Sequence, residues 1–453
     1  QHFQRRFLKL SARGKPLDAA ATLGEVGLRD GDAVDAVLLP LRLAAAGTAF
    51  ALHVQAGGVA SWGDATDGGD SRRVKEQLRH VRQIKSSGFA FAAILESGAV
   101  VSWGNRQYGG DSSQVSGQLQ GVQQIQANGG AFAAILGSGS VVTWGDGDFG
   151  GNSRQVQKQL RDVLQIQKTG GAFAAILGNG SVVTWGRPEW GGNSRQVQGQ
   201  LRNVRQIQGT GLAFAAILES GAVVTWGHPE YGGDSSQVQD QLRNVQEIQA
   251  NGFAFAAILE SGAVVTWGHP DWGGDSSQVQ GQLQNVLHIQ CTDSAFAAIL
   301  SSGAVVSWGN SDRGGDSSLV QENLRHVQQI QATSAAFAAI LESGAVVTWG
   351  SPQFGADSSQ VQDQLRNVQQ IQATSHGVSG AFAAILASGC VVSWGPNEAG
   401  DSSLVQEQLT NVQQIQSTDK AFAALLESGT VVTWGHPSRG GNSSMVQGEL
   451  NFM

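Results

Sequence analysis

Three histidines, His228, His269 and His436, stand at one point of a recurring unit, each two residues after a tryptophan. As metal ligands they would have to converge from three separate units. No Cys or paired His stands nearby to complete a tetrahedral set, so each is read as a solvated loop histidine. A second row, Asp70, Asp111, Asn152, Asn193, Asp234, Asp275, Asp316, Asp357, Asp401 and Asn442, closes each loop before a serine. Repeated carboxylates suggest calcium. Asn replaces Asp freely here, however, and a turn cap needs only the side-chain oxygen. The row is therefore read as caps. Paired catalytic carboxylates, a Ser–His couple and a phosphate loop are all missing from the pattern. The expectation is a protein that is not an enzyme, with no catalytic residue, no metal site and no cofactor.

A third row varies in a more informative way. Five residues after the same tryptophan stand Asp67, Tyr108, Phe149, Trp190, Tyr231, Trp272, Arg313, Phe354, Ala399 and Arg439. Both tyrosines of the chain are here, as are its two tryptophans outside the regularly spaced Trp-Gly series. Tyr108, Phe149, Trp190, Tyr231, Trp272 and Phe354 either plug their own units or form an exposed arc for a protein partner. Tyr, Trp and Arg dominate such interfaces, and the Asp and Arg replacements argue against an obligatory plug.

The bulk numbers narrow the partner. The net charge is −8, only 14% of the 453 residues are charged, and no Lys/Arg run exceeds Arg5-Arg6. Nucleic-acid binding is not expected. No apolar run reaches the ~20 residues of a membrane span, so no membrane partner is expected. Cys291 and Cys390 stand alone, which fits a reducing intracellular compartment, cytoplasmic or nuclear. The chain starts at Gln1 and its methionines are Met445 and Met453, so a longer parent chain is expected.

These rows are held by a repeat. The Trp-Gly tryptophans run Trp62, Trp103, Trp144, Trp185, Trp226, Trp267, Trp308, Trp349, Trp394 and Trp434, seven spacings of 41 followed by 45 and 40. A phenylalanine precedes each by twelve residues, from Phe50 to Phe422. In the unit at 253–292, "AFAAIL" and "AVVTWG" predict a hairpin about "ESG". Ala263, Val265 and Trp267 share one strand face and Val264 and Thr266 the other, so both faces pack. The Pro/Gly/Asp-rich "HPDWGGDSS" predicts a loop. Val279, Leu283 and Val286 then fall at helical spacing, with Ser276 or Ser277 as N-cap. "LHIQC" at 287–291 predicts a third strand. Such units bury two apolar faces only by stacking. Tryptophans and phenylalanines are assigned to the core, and the C-terminal "SSMVQGEL" is expected to reach the first unit and close a ring.

The pattern G-x-V-x-x-W-G, an aromatic-Gly loop and an apolar hexamer resembles the regulator of chromosome condensation and beta-lactamase inhibitor protein II repeat superfamily. The resemblance covers 42–453 and implies an all-β fold: a β-propeller of about ten three-stranded units, each with a short helical turn. Ala254 and Ala336 stand where that family commonly has His. Residues 1–41, with "LKLSARGKPLDAAATLGEVGLRDGDAVDAVLL", are similar to the second half of a ubiquitin-like domain: a strand, a Gly-Lys turn, a helical turn after Thr22, the Asp30-Gly31 turn and a closing strand. The expected function is a protein–protein interaction scaffold or adaptor. The alternatives are a guanine-nucleotide exchange factor for a small GTPase, as the family name implies, and the substrate-binding part of a larger ubiquitin ligase.

Overall fold

The computed structural model describes residues 8–12, 15–16, 35–38, 43–53, 58–374, 379–396 and 398–450, the first three segments by backbone path only. From residue 43 onward the chain forms ten three-stranded antiparallel sheets, each built from consecutive strands. They are numbered here as blades 1 to 10.

Blade 6 is typical. Its inner strand is Val245–Ala250, its middle strand Ala254–Leu259 and its outer strand Val264–Gly268. The hairpin pairs Phe255 with Trp267, whose rings stack 5.1 Å apart. A bulge between Val245 and Glu247 interrupts the inner pairing. The strand read at 287–291 is Val286–Cys291, and it pairs with Ala295–Leu300 of the following hairpin. It is therefore the first strand of blade 7, not the third of the preceding unit. Sequence order cannot tell which hairpin an isolated strand joins.

Alternation along the middle strand creates two unlike faces. Phe255, Ala257, Val265 and Trp267 pack toward blade 5, against Ala213, Ala215, Ile217 and Val223. Ala254, Ala256, Ile258 and Val264 form the opposite face and receive Phe296 and Trp308 of blade 7. A large face thus meets a small one at every interface. The alanines leave the room that the aromatic pair fills, and interiors tolerate no voids between such layers.

The segment between blades is a tight turn rather than an α-helix. Leu283 and Val286 are buried beside half-buried Val279, as the spacing predicted. The expected serine N-cap is not made by a serine side chain. Asp275 Oδ1 accepts from Ser277 N at 2.8 Å. Ser276 Oγ is held instead by Thr266 and Gln280.

The ring closes. Each Trp-Gly indole N–H donates to a loop carbonyl of the preceding blade, as from Trp226 to Gly191 O at 3.0 Å. Trp62 completes the circuit by donating to Gly440 O at 3.1 Å, across 378 residues. Backbone bonds repeat this step near the axis, from Gly170 N to Gly211 O and Gly211 N to Gly252 O. At the seam Asp419 N donates to Gly47 O, and Gly47 N to Gly88 O. The C-terminal segment supplies what blade 1 lacks upstream. Leu450 is buried with Leu43, Phe50 and Trp62 of blade 1 and Leu425 of blade 10, and Glu449 pairs with Lys75.

Ahead of the ring, Leu8–Ala12 pairs antiparallel with Lys15–Pro16 and with Asp35–Leu38. The helical turn read after Thr22 and the Asp30-Gly31 turn lie outside the described residues, as do 375–378 of the longest spacing.

Trp267→Ala should cost on the order of 3–5 kcal/mol through the cavity left between two blades. Leu450→Ala, a smaller cavity at the seam, should cost roughly 2–5 kcal/mol. Chemical denaturation checks both, and an unchanged midpoint for Leu450→Ala would mean that the C-terminal segment does not seal the ring.

Candidate protein interface

In nine of the ten loops after Trp-Gly a short 3₁₀ turn sets the variable position, and in blade 2 the π turn Arg106–Gly110 does so. In blade 6 the turn is Pro270–Trp272, with proline fixing its first dihedral and Gly273 ending it at φ 96°. A Cβ at Gly273 would lie 2.6 Å from the Phe296 ring. Only glycine fits there, and its carbonyl receives the next indole, that of Trp308. The carbonyl of Trp272 accepts from Asn251 Nδ2 at 2.7 Å. Thr169 and Thr210 hold Trp190 and Tyr231 in the same way. The backbone at the slot is therefore fixed while its side chain is free to vary.

Tyr108, Phe149, Trp190, Tyr231, Trp272 and Phe354 are all half-buried. They neither sink beneath their blades nor stand clear of them. Most touch the next ring: Tyr108 meets Phe149 edge-on at 6.5 Å, and Phe149 meets Trp190 at 6.3 Å. Tyr231 stacks on Trp272 at 6.1 Å. Arg187 lays its guanidinium 4.3 Å over Trp190 and 5.4 Å from the Phe149 centroid. Phe354 stands apart and packs partly into the core of blades 8 and 9.

A second row reinforces this face and was not read from the sequence. The residue before each middle strand is Phe89, Leu212 or Phe253 in three blades. Phe253 lies 3.9 Å from Trp272, and Phe89 lies 5.0 Å from Tyr108. In blades 3 and 4 the position is Gly130 and Gly171. A Cβ on Gly171 would come 2.7 Å from the Trp190 ring, so the glycine admits the indole. The available signal was a variable position beside "AFAAIL", which recurs unchanged in eight of the ten units.

The non-aromatic slots show what replaces a ring. Asp67 accepts from Thr48 Oγ1 at 2.8 Å, and Arg439 pairs with buried Asp419 at 3.1 Å. Desolvation pushes both Asp67 and Asp419 above the ordinary carboxylate range. Arg313 is exposed. Ala399 does not belong to the row. Its loop is one residue shorter, and its carbonyl accepts the Trp434 indole where other blades use the loop glycine.

His228 and His269 are half-buried rather than freely solvated. Their Nδ1 atoms are buried without a hydrogen-bond partner, and the rings lie 4.6 Å from Tyr231 and 4.4 Å from Trp272. They extend the aromatic face, whereas His436 bonds Ser438. Among the described residues no His/Cys/Asp/Glu group is placed to hold a metal. Burial pushes the Cys291 thiol up to about 12, far from a reactive thiolate.

No family model and no curated protein sequence matches the chain. Solved structures similar to it include Prp20p of Saccharomyces cerevisiae, at 14% identity and a TM-score of 0.37, covering 91% of this chain and 96% of that one. The CRINKLY WD40 ectodomain of the Arabidopsis thaliana receptor kinase ACR4 is 14% identical, with a TM-score of 0.34, over 58% and 90%. Human WBSCR16 is 17% identical, with a TM-score of 0.28, over 70% and 78%. The fold is defined by the chain's own ten sheets. This protein is a closed ten-bladed β-propeller.

The Asp/Asn row caps turns in every blade. Asp111, Asn152 and Asn193 accept from the backbone N–H two residues on at 2.9–3.1 Å, and Asp401 and Asn442 do so at 2.9 Å. The Arg72 side chain lowers Asp70 to about 2. Asp316 and Asp401 lie below their ordinary value, chiefly through the N–H groups of Ser318 and Ser403. Asp357 is lowered first by the Ser359 hydroxyl. A depressed folded pKa contributes stability above the unfolded value of about 3.9, and that contribution is lost as pH falls through the folded pKa. The triple variant Asp316→Asn/Asp357→Asn/Asp401→Asn should match the parent at pH 7 and lose less stability on acidification below about pH 4. Urea midpoints across pH decide it, and a marked loss at pH 7 would show that the carboxylates do more than cap.

Proposed function

We propose that the propeller is a non-catalytic protein–protein interaction scaffold, and that its partner docks on the aromatic face formed by Tyr108, Phe149, Trp190, Tyr231, Trp272 and Phe354. The observation that carries this reading is the half-exposure of rings on backbones held rigid by the blades. Rigid aromatics supply large contact areas with little side-chain entropy to lose. A surface fixed by ten sheets also needs little ordering on binding. The acidic net charge favours a protein partner over nucleic acid. Among the described residues no helix is long and apolar enough to cross a membrane. An intracellular setting and a ubiquitin-like module in residues 1–41 belong to the same proposal, the latter supported by the antiparallel strands at 8–12 and 35–38.

Trp190→Ala and Trp272→Ala should leave the denaturation midpoint close to the parent's. Each should weaken the partner complex by roughly 2 kcal/mol or more. Affinity capture with the parent identifies the partner, and calorimetry on the purified pair measures the change. Leu319→Ala, which removes a 99% exposed leucine from a different segment, serves as the control. Equal binding by all variants would move the interface elsewhere.

A further inference from the structure

The aromatic slot is preceded in five consecutive blades by an acidic residue: Asp148, Glu189, Glu230, Asp271 and Asp312. All five are exposed, and none makes an ion pair among the described residues. Two of them also line clefts between neighbouring loops. Glu189 and Asp234 line one of about 850 Å³ beside Trp226. Glu230, Asp234 and Asp275 line the next, of about 930 Å³, beside Trp267. No Lys or Arg lines either cleft. The corresponding clefts beside Trp103 and Trp144 do contain arginines, Arg73 and Arg106 in one and Arg106 and Arg154 in the other. Negative charge is therefore left uncompensated inside these two clefts, whose loops also carry Trp190, Tyr231 and Trp272.

The same sector already shows how it takes a cation. Arg187 lies over the Trp190 ring at 4.3 Å, the planar stacking that guanidinium favours on aromatic faces. A ring face attracts a cation through its quadrupole, and unpaired carboxylates beside it add directional acceptors.

We propose that this sector binds a cationic segment of a protein partner, its Arg or Lys side chains entering the two acidic clefts and stacking on the rings of Trp190, Tyr231 and Trp272 that the same loops carry. The inference rests on the aromatic face being the interface and names the partner's chemistry. The carboxylates steer the segment and select its charge, while the rings hold it.

Fluorescence anisotropy with a labelled nona-arginine peptide tests this, with nona-glutamate of equal length as the opposite probe. Nona-arginine should bind the parent and nona-glutamate should not. Glu189→Gln/Glu230→Gln/Asp271→Asn should weaken nona-arginine binding at least tenfold and flatten its salt dependence. Glu219→Gln/Glu260→Gln/Glu427→Gln removes the same charge from exposed turns at the other end of the blades and should change binding less than twofold. Equal losses in the two triples would reduce the effect to net charge and overturn the proposal. If Trp190→Ala/Trp272→Ala weakens the natural complex while the Glu189 triple leaves that complex and peptide binding unchanged, the cationic segment is refuted and the aromatic interface stands. If the Glu189 triple weakens nona-arginine binding while the tryptophan variant changes neither complex, the rings play no part and the proposal fails with the interface it rests on.

Discussion

One hydrogen bond, from an indole N–H to the carbonyl of a loop in the preceding blade, organises the molecule. The tryptophan is buried against the neighbouring blade, where an unpaired donor would be costly. Its acceptor must therefore be presented at one place, and the 3₁₀ turn with its left-handed glycine presents it. The loop that carries the aromatic slot is thus fixed by the core of the blade that follows. Where the loop of blade 9 loses a residue, Ala399 takes over as acceptor and the bond survives at 3.0 Å. The bond is kept at the expense of the loop's length and composition.

Pairing a large face with a small one explains why the same strand sequences recur so faithfully. Phe and Trp on one side of a sheet require Ala on the facing side of the next, so each substitution must suit two interfaces at once. Surface positions escape that constraint, and there the blades differ. The slot row, the residue before the middle strand and the acid before the slot all vary on one face. A repeating core thereby carries a non-repeating surface, and recognition can be concentrated in a few blades without disturbing closure.

Much of this was legible in the residues themselves. Period, strand pair, two-sided burial and the Phe–Trp core follow from alternation and spacing, because those patterns encode local geometry. The closing role of "SSMVQGEL" was legible because blade 1 lacks the segment that the C-terminus carries in excess. Pairing partners were harder to read: "LHIQC" joins the hairpin after it, a fact set by tertiary packing. The half-burial of His228 and His269 was missed because it depends on the 3₁₀ turn folding each imidazole onto the ring three residues on, a loop conformation that spacing alone does not give. Ala399 was misplaced by counting from the tryptophan before it, whereas the structure counts back from the one after.

The central claim is that ten equivalent indole bonds close a ring and leave two tryptophans at its surface. Hydrogen exchange of the twelve indole N–H protons, followed by NMR with assignment by single Trp→Phe variants, reads this directly. The account predicts ten slowly exchanging indoles, Trp62 among them, and rapid exchange for Trp190 and Trp272, which donate no hydrogen bond among the described residues. Rapid exchange at Trp62 with the other nine protected would contradict it, because the seam would then be open and the chain a solenoid.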